Sequence, residues 1–169
     1  IKHIEGFSMT FLAMIPFLNA ASFTGTYLLV DSKESLLEQK EAALAKTLDA
    51  LNPLMRFPAA RRLSNEPPQC EQYQITPTPK GQSVQCDIHL PLFLEPGVVK
   101  KHTTKKGQTI KVESQIEDSA IHFKLHGESG IMSTHMILSQ STLTVTKSVE
   151  SPYLPVPLVM TYTYRKATQ

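Results

Sequence analysis

Between residues 110 and 165 apolar and polar side chains alternate with few interruptions, in runs separated by short polar turns. A period of two belongs to β-strands with one buried face. Strands are predicted over about 109–116, 120–126, 131–138, 143–149 and 156–165, in an antiparallel meander. Turn centres set the register. With the GESG turn centred between Glu128 and Ser129, His122 faces His135 and Phe123 faces Thr134. With Glu117-Asp118 as the preceding turn, His122 also faces Glu113, and a turn at Gln140-Ser141 puts His135 opposite Thr146. One face then carries Lys111, Glu113, His122, Lys124, Ser133, His135, Thr144, Thr146 and Ser148. The other carries Ile110, Val112, Ile121, Phe123, Leu125, Met132, Met136, Leu138, Leu143 and Val145. A slip of one residue would mix the two sets, so their separation supports the register. The apolar face is expected to point inward. Each buried Leu, Phe or Met there contributes about 1.5–3 kcal/mol.

The first half of the chain is patterned differently. Residues 23–30 read as a strand, and Asp31 or Ser32 then offers a helix N-cap, with Glu34 placed as in a capping box. Leu36, Leu37, Ala43, Leu44, Leu48 and Leu51 recur at helical spacing. Asn52-Pro53 ends that helix, and a second is expected within 53–63, interrupted or restarted at Pro58. Residues 65–69 (NEPPQ) form an extended linker, followed by strands near 71–76, 83–90 and 98–104. About nine strands suit a barrel or half-barrel with one or two helices inserted at about 32–63, a mainly β fold of α+β character. Residues 23–169 are read as one domain.

Residues 1–22 add a localisation signal. Lys2 and His3 precede an apolar stretch, residues 9–18, and small residues follow, with a candidate cleavage point after Ala21 or Ser22. This layout predicts export to the periplasm or outside the cell, with an apolar N-terminal helix packed on the barrel as the alternative. The 169 residues carry 41% hydrophobic and 19% charged side chains, enough for a real core. A net charge of +2 argues against nucleic acid as a partner. The basic run from Lys100 to Lys106 leads into Gly107 and reads as a solvated hairpin turn. Cys70 and Cys86 flank the turn PTPKG and are candidates for a disulfide, although pairing Tyr73 with Cys86 leaves Cys70 on the opposite face unless a bulge intervenes.

Reactive constellations are sparse. The row Glu113, His122, His135 and Thr146 is the one group with metal-ligand character, because neighbouring strands lie about 4.8 Å apart. On an outward face it reads first as a solvated polar row. His122 and His126 are separated by about 13 Å along a strand and do not share an ion. There is no nucleophile elbow, phosphate-binding glycine loop or C-x-x-C motif, and no cofactor is implied. Arg56, Arg61 and Arg62 lie on or near the second helix, where a solvated face is the simplest reading and a grip on an anionic head group the functional one.

Phe23-Thr24-Gly25-Thr26-Tyr27 resembles the opening of lipocalin-type barrels, in which a G-x-W on the first strand packs beneath an arginine of the last strand. Here Tyr27 stands for the tryptophan and Arg165 is the candidate partner. The chain is also similar to a group of uncharacterised exported bacterial proteins. The shared features are Gly25 to Leu28, Ala60 to Leu63, Asn65 to Pro68, Ser151 to Leu158 and Tyr164-Arg165. That likeness implies an exported lipocalin-like β-domain and carries no activity with it.

The expected function is a non-enzymatic binding module for a small apolar or amphipathic ligand. Tyr27, Phe123, Met132, Met136, Met160 and Tyr162 would line the interior, with Arg56, Arg61 and Arg62 at its mouth. The runner-up is a structural or interaction protein of the cell envelope with a solid core, peripherally associated. Third stands a metal-dependent enzyme using Glu113, His122 and His135.

Overall fold

The computed structural model describes residues 23–104 and 107–168. The signal-like segment, residues 1–22, lies outside them. Ten strands form one sheet: β1 (Gly25–Leu29), β2 (Gln72–Thr78), β3 (Gly81–Cys86), β4 (Leu92–Leu94), β5 (Lys100–Thr103), β6 (Thr109–Ile116), β7 (Ala120–Gly127), β8 (Gly130–Ser139), β9 (Thr142–Glu150) and β10 (Leu158–Lys166). Helices α1 (Lys33–Asp49) and α2 (Pro53–Leu63) lie between β1 and β2. The strand order is β4-β3-β2-β1-β10-β9-β8-β7-β6-β5, with every neighbouring pair antiparallel. The two ends of the sheet approach each other beyond β4. Ser114 Oγ donates to the Glu95 carbonyl at 3.1 Å, and the Gly97 N–H donates to the Ser114 carbonyl at 3.1 Å. The sheet is thereby a nearly closed lipocalin-like barrel, as its alternation predicts.

Register follows the turns closely. His122 pairs with His135, Phe123 with Thr134, and His135 with Thr146. The β6–β7 turn is the exception. The last pair is Ile116 with Ile121, and the Glu117 N–H donates to the Ala120 carbonyl, so four residues rather than two make the turn. His122 consequently faces Gln115, and Glu113 faces Lys124. The shift is by two residues, so it preserves every inward and outward assignment. Ile121, Phe123, Met136, Leu143, Val145, Met160 and Tyr162 are all buried in one continuous core.

The first strand departs from the expected pairing in one respect. Tyr27 is fully buried, but its register partner is Lys166, whose ammonium lies 5.9 Å from the ring centroid. Arg165 pairs with Leu28 and is exposed. Alternation along β10 dictates this, since Tyr164 points inward and its neighbour must point out.

Both helices start and stop where the capping chemistry indicates, with two corrections. Ser32 is the N-cap of α1, its hydroxyl accepting from the Ser35 N–H at 3.1 Å. Asp31 instead accepts from the Thr163 N–H of β10 at 2.6 Å. Helix α2 begins at Pro53, where a missing N–H costs nothing, and continues through Pro58 without a break. Pro58 lies past the first turn and forfeits one i→i−4 bond, the one its missing N–H would make.

The placement of α1 answers a question of backbone accounting. β1 pairs with β10 only across Tyr27–Leu29, leaving most of that edge of β10 without a strand partner. Side chains of the helical insertion take over. Gln39 Oε1 accepts from the Thr161 N–H at 2.6 Å, and buried Thr47 donates its hydroxyl to the Pro157 carbonyl at 3.3 Å. With Asp31 on Thr163, an exposed strand edge becomes a covered one.

Candidate functional site

The inward face of β7–β10 is apolar but for the hydroxyl-bearing Thr134 and the tyrosines of β10, and it carries one charge. Residue parity puts Lys147 two positions after Val145 on the buried side of β9, between Thr134 of β8 and Met160 of β10. Its side chain is 4% exposed. The ammonium donates to the Pro68 carbonyl at 2.5 Å and lies 3.6 Å from Cys70 Sγ. It also sits over two rings, 5.7 Å from the centroid of Tyr73 and 5.8 Å from that of Tyr162. Among the described residues no carboxylate lies within ion-pair distance of it.

A buried cation without a paired anion is an expensive arrangement. Loss of solvent pulls the Lys147 pKa down to about 8, with Asp87 and Glu66 acting from a distance in the opposite direction. Glu66 is itself shifted upward by desolvation, against the pull of Lys147 and Lys40. Burial pushes the Tyr162 hydroxyl up to about 12 and those of Tyr73 and Tyr164 further still. These phenols therefore remain neutral donors across the physiological range.

The surroundings of Lys147 come from residues 64–70, the strap that leads from α2 into β2. Three inward side chains hold its carbonyls: Lys147 on Pro68, Tyr162 on Pro67 at 3.4 Å and Tyr164 on Cys70 at 2.9 Å. A disulfide joins Cys70 to Cys86. Cys70 precedes the first residue of β2, so strand alternation does not apply to it, and no bulge is required. Beyond the disulfide, the Asp87 carboxylate accepts from the backbone N–H groups of Glu71 and Gln72 at 3.3 and 2.8 Å. A polar corner is thus built against an otherwise apolar wall.

The expected interior residues fall together. Tyr27, Phe123, Met136, Met160 and Tyr162 belong to the buried cluster, and Met132 is a partly exposed neighbour of Leu125 and Val149. The arginines do not join them. Arg61 and Arg62 are exposed on α2, while Arg56 is held in the α1–α2 connection by the carbonyls of Leu51 and Asp49 and by the Asp49 carboxylate at 3.5 Å. Lys147 is the cation that reaches the interior. Its place on the apolar side of the strand was readable from parity alone.

Glu113, His122 and His135 do not assemble as one row. The two imidazoles stack edge to face with centroids 5.8 Å apart, but Glu113 lies further along β6, where its carboxylate meets His126 at 3.3 Å. Proximity to His135 and Lys124, added to partial burial as the larger effect, lowers the His122 pKa. A surface concavity of about 270 Å³ opens beside these histidines, lined also by Gln115, Glu117 and Ala120. A second, of about 390 Å³, lies between the β2–β3 turn and the segment around Phe93 to Lys100. Both are outside the core. The closest grouping of metal-ligand types among the described residues is Cys70, Cys86 and Asp87, and there the sulfurs are already bonded to each other.

No protein-family model matches the chain, and no curated protein matches its sequence. Solved structures do match its shape. The REP1-NXSQ fatty acid transporter superposes with a TM-score of 0.55 at 15% identity, covering 88% of this chain and 98% of the transporter. Lipid binding protein 8 of Caenorhabditis elegans gives 0.55 at 11% identity, covering 89% and 99%. Fatty-acid-binding protein 1 of Echinococcus granulosus gives 0.52 at 12%, covering 88% and 99%. At such identities the likeness establishes a shared fold: a ten-stranded antiparallel barrel with two helices following the first strand.

Proposed function

We propose that this protein is a non-enzymatic, exported binding barrel for a small amphipathic ligand with an anionic head group. The observation that carries the reading is Lys147, a desolvated cation facing an apolar interior whose walls include the adaptable side chains of Met136 and Met160. A carboxylate placed beside it would supply the missing counter-charge, while an acyl chain would lie along the wall. In the present state the strap carbonyls of Pro67, Pro68 and Cys70 occupy the donors that a head group would use. Entry therefore requires the strap to yield. The barrel fold, shared with proteins described as fatty-acid and lipid binders, supports this class of ligand. The apolar stretch at residues 9–18 and the disulfide support an oxidising compartment.

A second reading is favoured by the completeness of the packing. Tyr27, Ile75, Ile121, Met136, Leu143 and Val145 have no measurable exposure, as in a solid core. On that reading the barrel is a structural or interaction module of the envelope. Titration with an environment-sensitive long-chain carboxylate probe separates the two. Ligand binding predicts saturable uptake of one probe per chain, weakened about 10- to 100-fold by Lys147→Met, the range of a charge-assisted hydrogen bond. No uptake by the wild-type protein, and no retained adduct in native mass spectrometry, would favour the solid core.

A further inference from the structure

We infer that Cys70–Cys86 is a reactive, exchangeable disulfide, attacked at Cys86 by a small thiol, with Cys70 leaving as a thiolate received by the Lys147 ammonium. The inference stands apart from the ligand-binding reading, because it needs only the geometry around the two sulfurs. That geometry is asymmetric in access and in charge. Cys70 is fully buried, while Cys86 is partly exposed on β3. Lys147 Nζ lies 3.6 Å from Cys70 Sγ, and Asp87 Oδ2 lies 3.8 Å from Cys86 Sγ.

Each difference has a chemical consequence. An attacking thiolate reaches the accessible sulfur first, so the bond to form is between it and Cys86. The electron pair of the broken S–S bond then goes to Cys70 Sγ. A cation within contact distance stabilises that thiolate and makes it the better leaving group. Beside Cys86 the Asp87 carboxylate has the opposite effect, disfavouring a thiolate there. A second reductant thiol resolves the mixed disulfide. The balance is one protein disulfide and two thiols giving two protein thiols and one oxidised reductant.

The Asp87 carboxylate also lies within 4.8 Å of Cys70 Sγ, but the Lys147 ammonium is in contact with that sulfur, and the remaining groups facing Cys70 do not compete for this role. Tyr73, Tyr162 and Tyr164 remain neutral phenols, and Glu66 acts on Lys147 only from a distance. The alternative function for such a bond is an inert staple of the β2–β3 hairpin. An inert staple has no need of a buried ammonium at one sulfur.

Reduced full-length protein, titrated by thiolate absorbance at 240 nm, tests the assignment. One thiol should ionise at least one pH unit below the ordinary cysteine value of about 8.5, and Lys147→Met should return it to 8.5 or above. In a glutathione redox buffer at pH 8 the same substitution should lower the equilibrium constant for reduction by about three- to tenfold. Trapping the intermediate tests the site of attack without touching Lys147. When the oxidised protein meets limiting glutathione and is quenched with acid, peptide mapping should find the mixed disulfide on Cys86, with Cys70 as the free thiol. Two wild-type thiols that both titrate at 8.5 or above, or a mixed disulfide trapped on Cys70, would overturn the inference. Because no ligand is involved, a failure here is distinguishable from a failure of the binding function.

Discussion

The wall made by β7, β8 and β9 and the corner beneath the strap belong to the same barrel, yet they are held together differently. Along the wall, Ile121, Met136 and Val145 face one another from adjacent strands and exclude water by bulk alone. In the corner, Lys147 of β9 and Tyr162 and Tyr164 of β10 grip backbone carbonyls of an irregular segment. The wall gains stability from its burial. The corner hides a charge at a cost and recovers part of it through directed hydrogen bonds. A region that retains such a cost is the better place to look for function than one that does not.

The contrast is sharpest in core truncation. Phe123→Ala should lower unfolding stability by about 3–5 kcal/mol, measured by urea denaturation. A loss below about 1 kcal/mol would mean that the wall is loosely packed, and the contrast would fail. Next in size is the response of the corner to pH. The Lys147 pKa in the folded protein, about 8, lies below its unfolded value, so between the two the unfolded chain binds more protons. Stability must therefore be penalised below pH 8 and recover as the pH rises. Between pH 7 and 9.5 the gain from this group is about 2 kcal/mol. Lys147→Met should abolish that rise and be more stable than wild type at pH 7. A wild-type profile no steeper than that of the variant would contradict a charged, desolvated lysine.

Smaller effects follow at the contacts around these regions. Tyr164→Phe leaves the Cys70 carbonyl without its donor and should cost about 1–2 kcal/mol. Faster amide exchange at Gln69 and Cys70 would localise the effect to the strap, and uniform exchange changes would not. Gln39→Ala should cost about 1 kcal/mol and speed exchange chiefly at the Thr161 amide. An unchanged Thr161 rate would show that the Gln39 side chain does not protect that amide.

Legibility in the sequence divides along the same line. The strict period of β7–β9 made inside and outside readable, and the four-residue turn at 117–120 moved His122 from Glu113 to Gln115 without changing sides. Lys147 lay in plain view, an inward position carrying the wrong chemistry, but its partners did not. Nothing local to residues 64–70 says that three carbonyls will meet β9 and β10, because those contacts are set by the path of the chain after α2. The same holds for Asp31, whose proximity to a helix start suggested a cap, although the unpaired edge of β10 claims its carboxylate. Arg165 lost its expected place under Tyr27 to Lys166 by one step of alternation.

The most direct test of an interior anion site is the ammonium itself. Lysine side chains labelled for NMR allow the Lys147 resonance to be titrated with and without a long-chain carboxylate. The site described here predicts a free-state pKa near 8 that rises on binding, as the incoming carboxylate restores a counter-charge. A carboxylate that binds while the Lys147 titration stays where it was would place the ligand elsewhere and contradict the assignment.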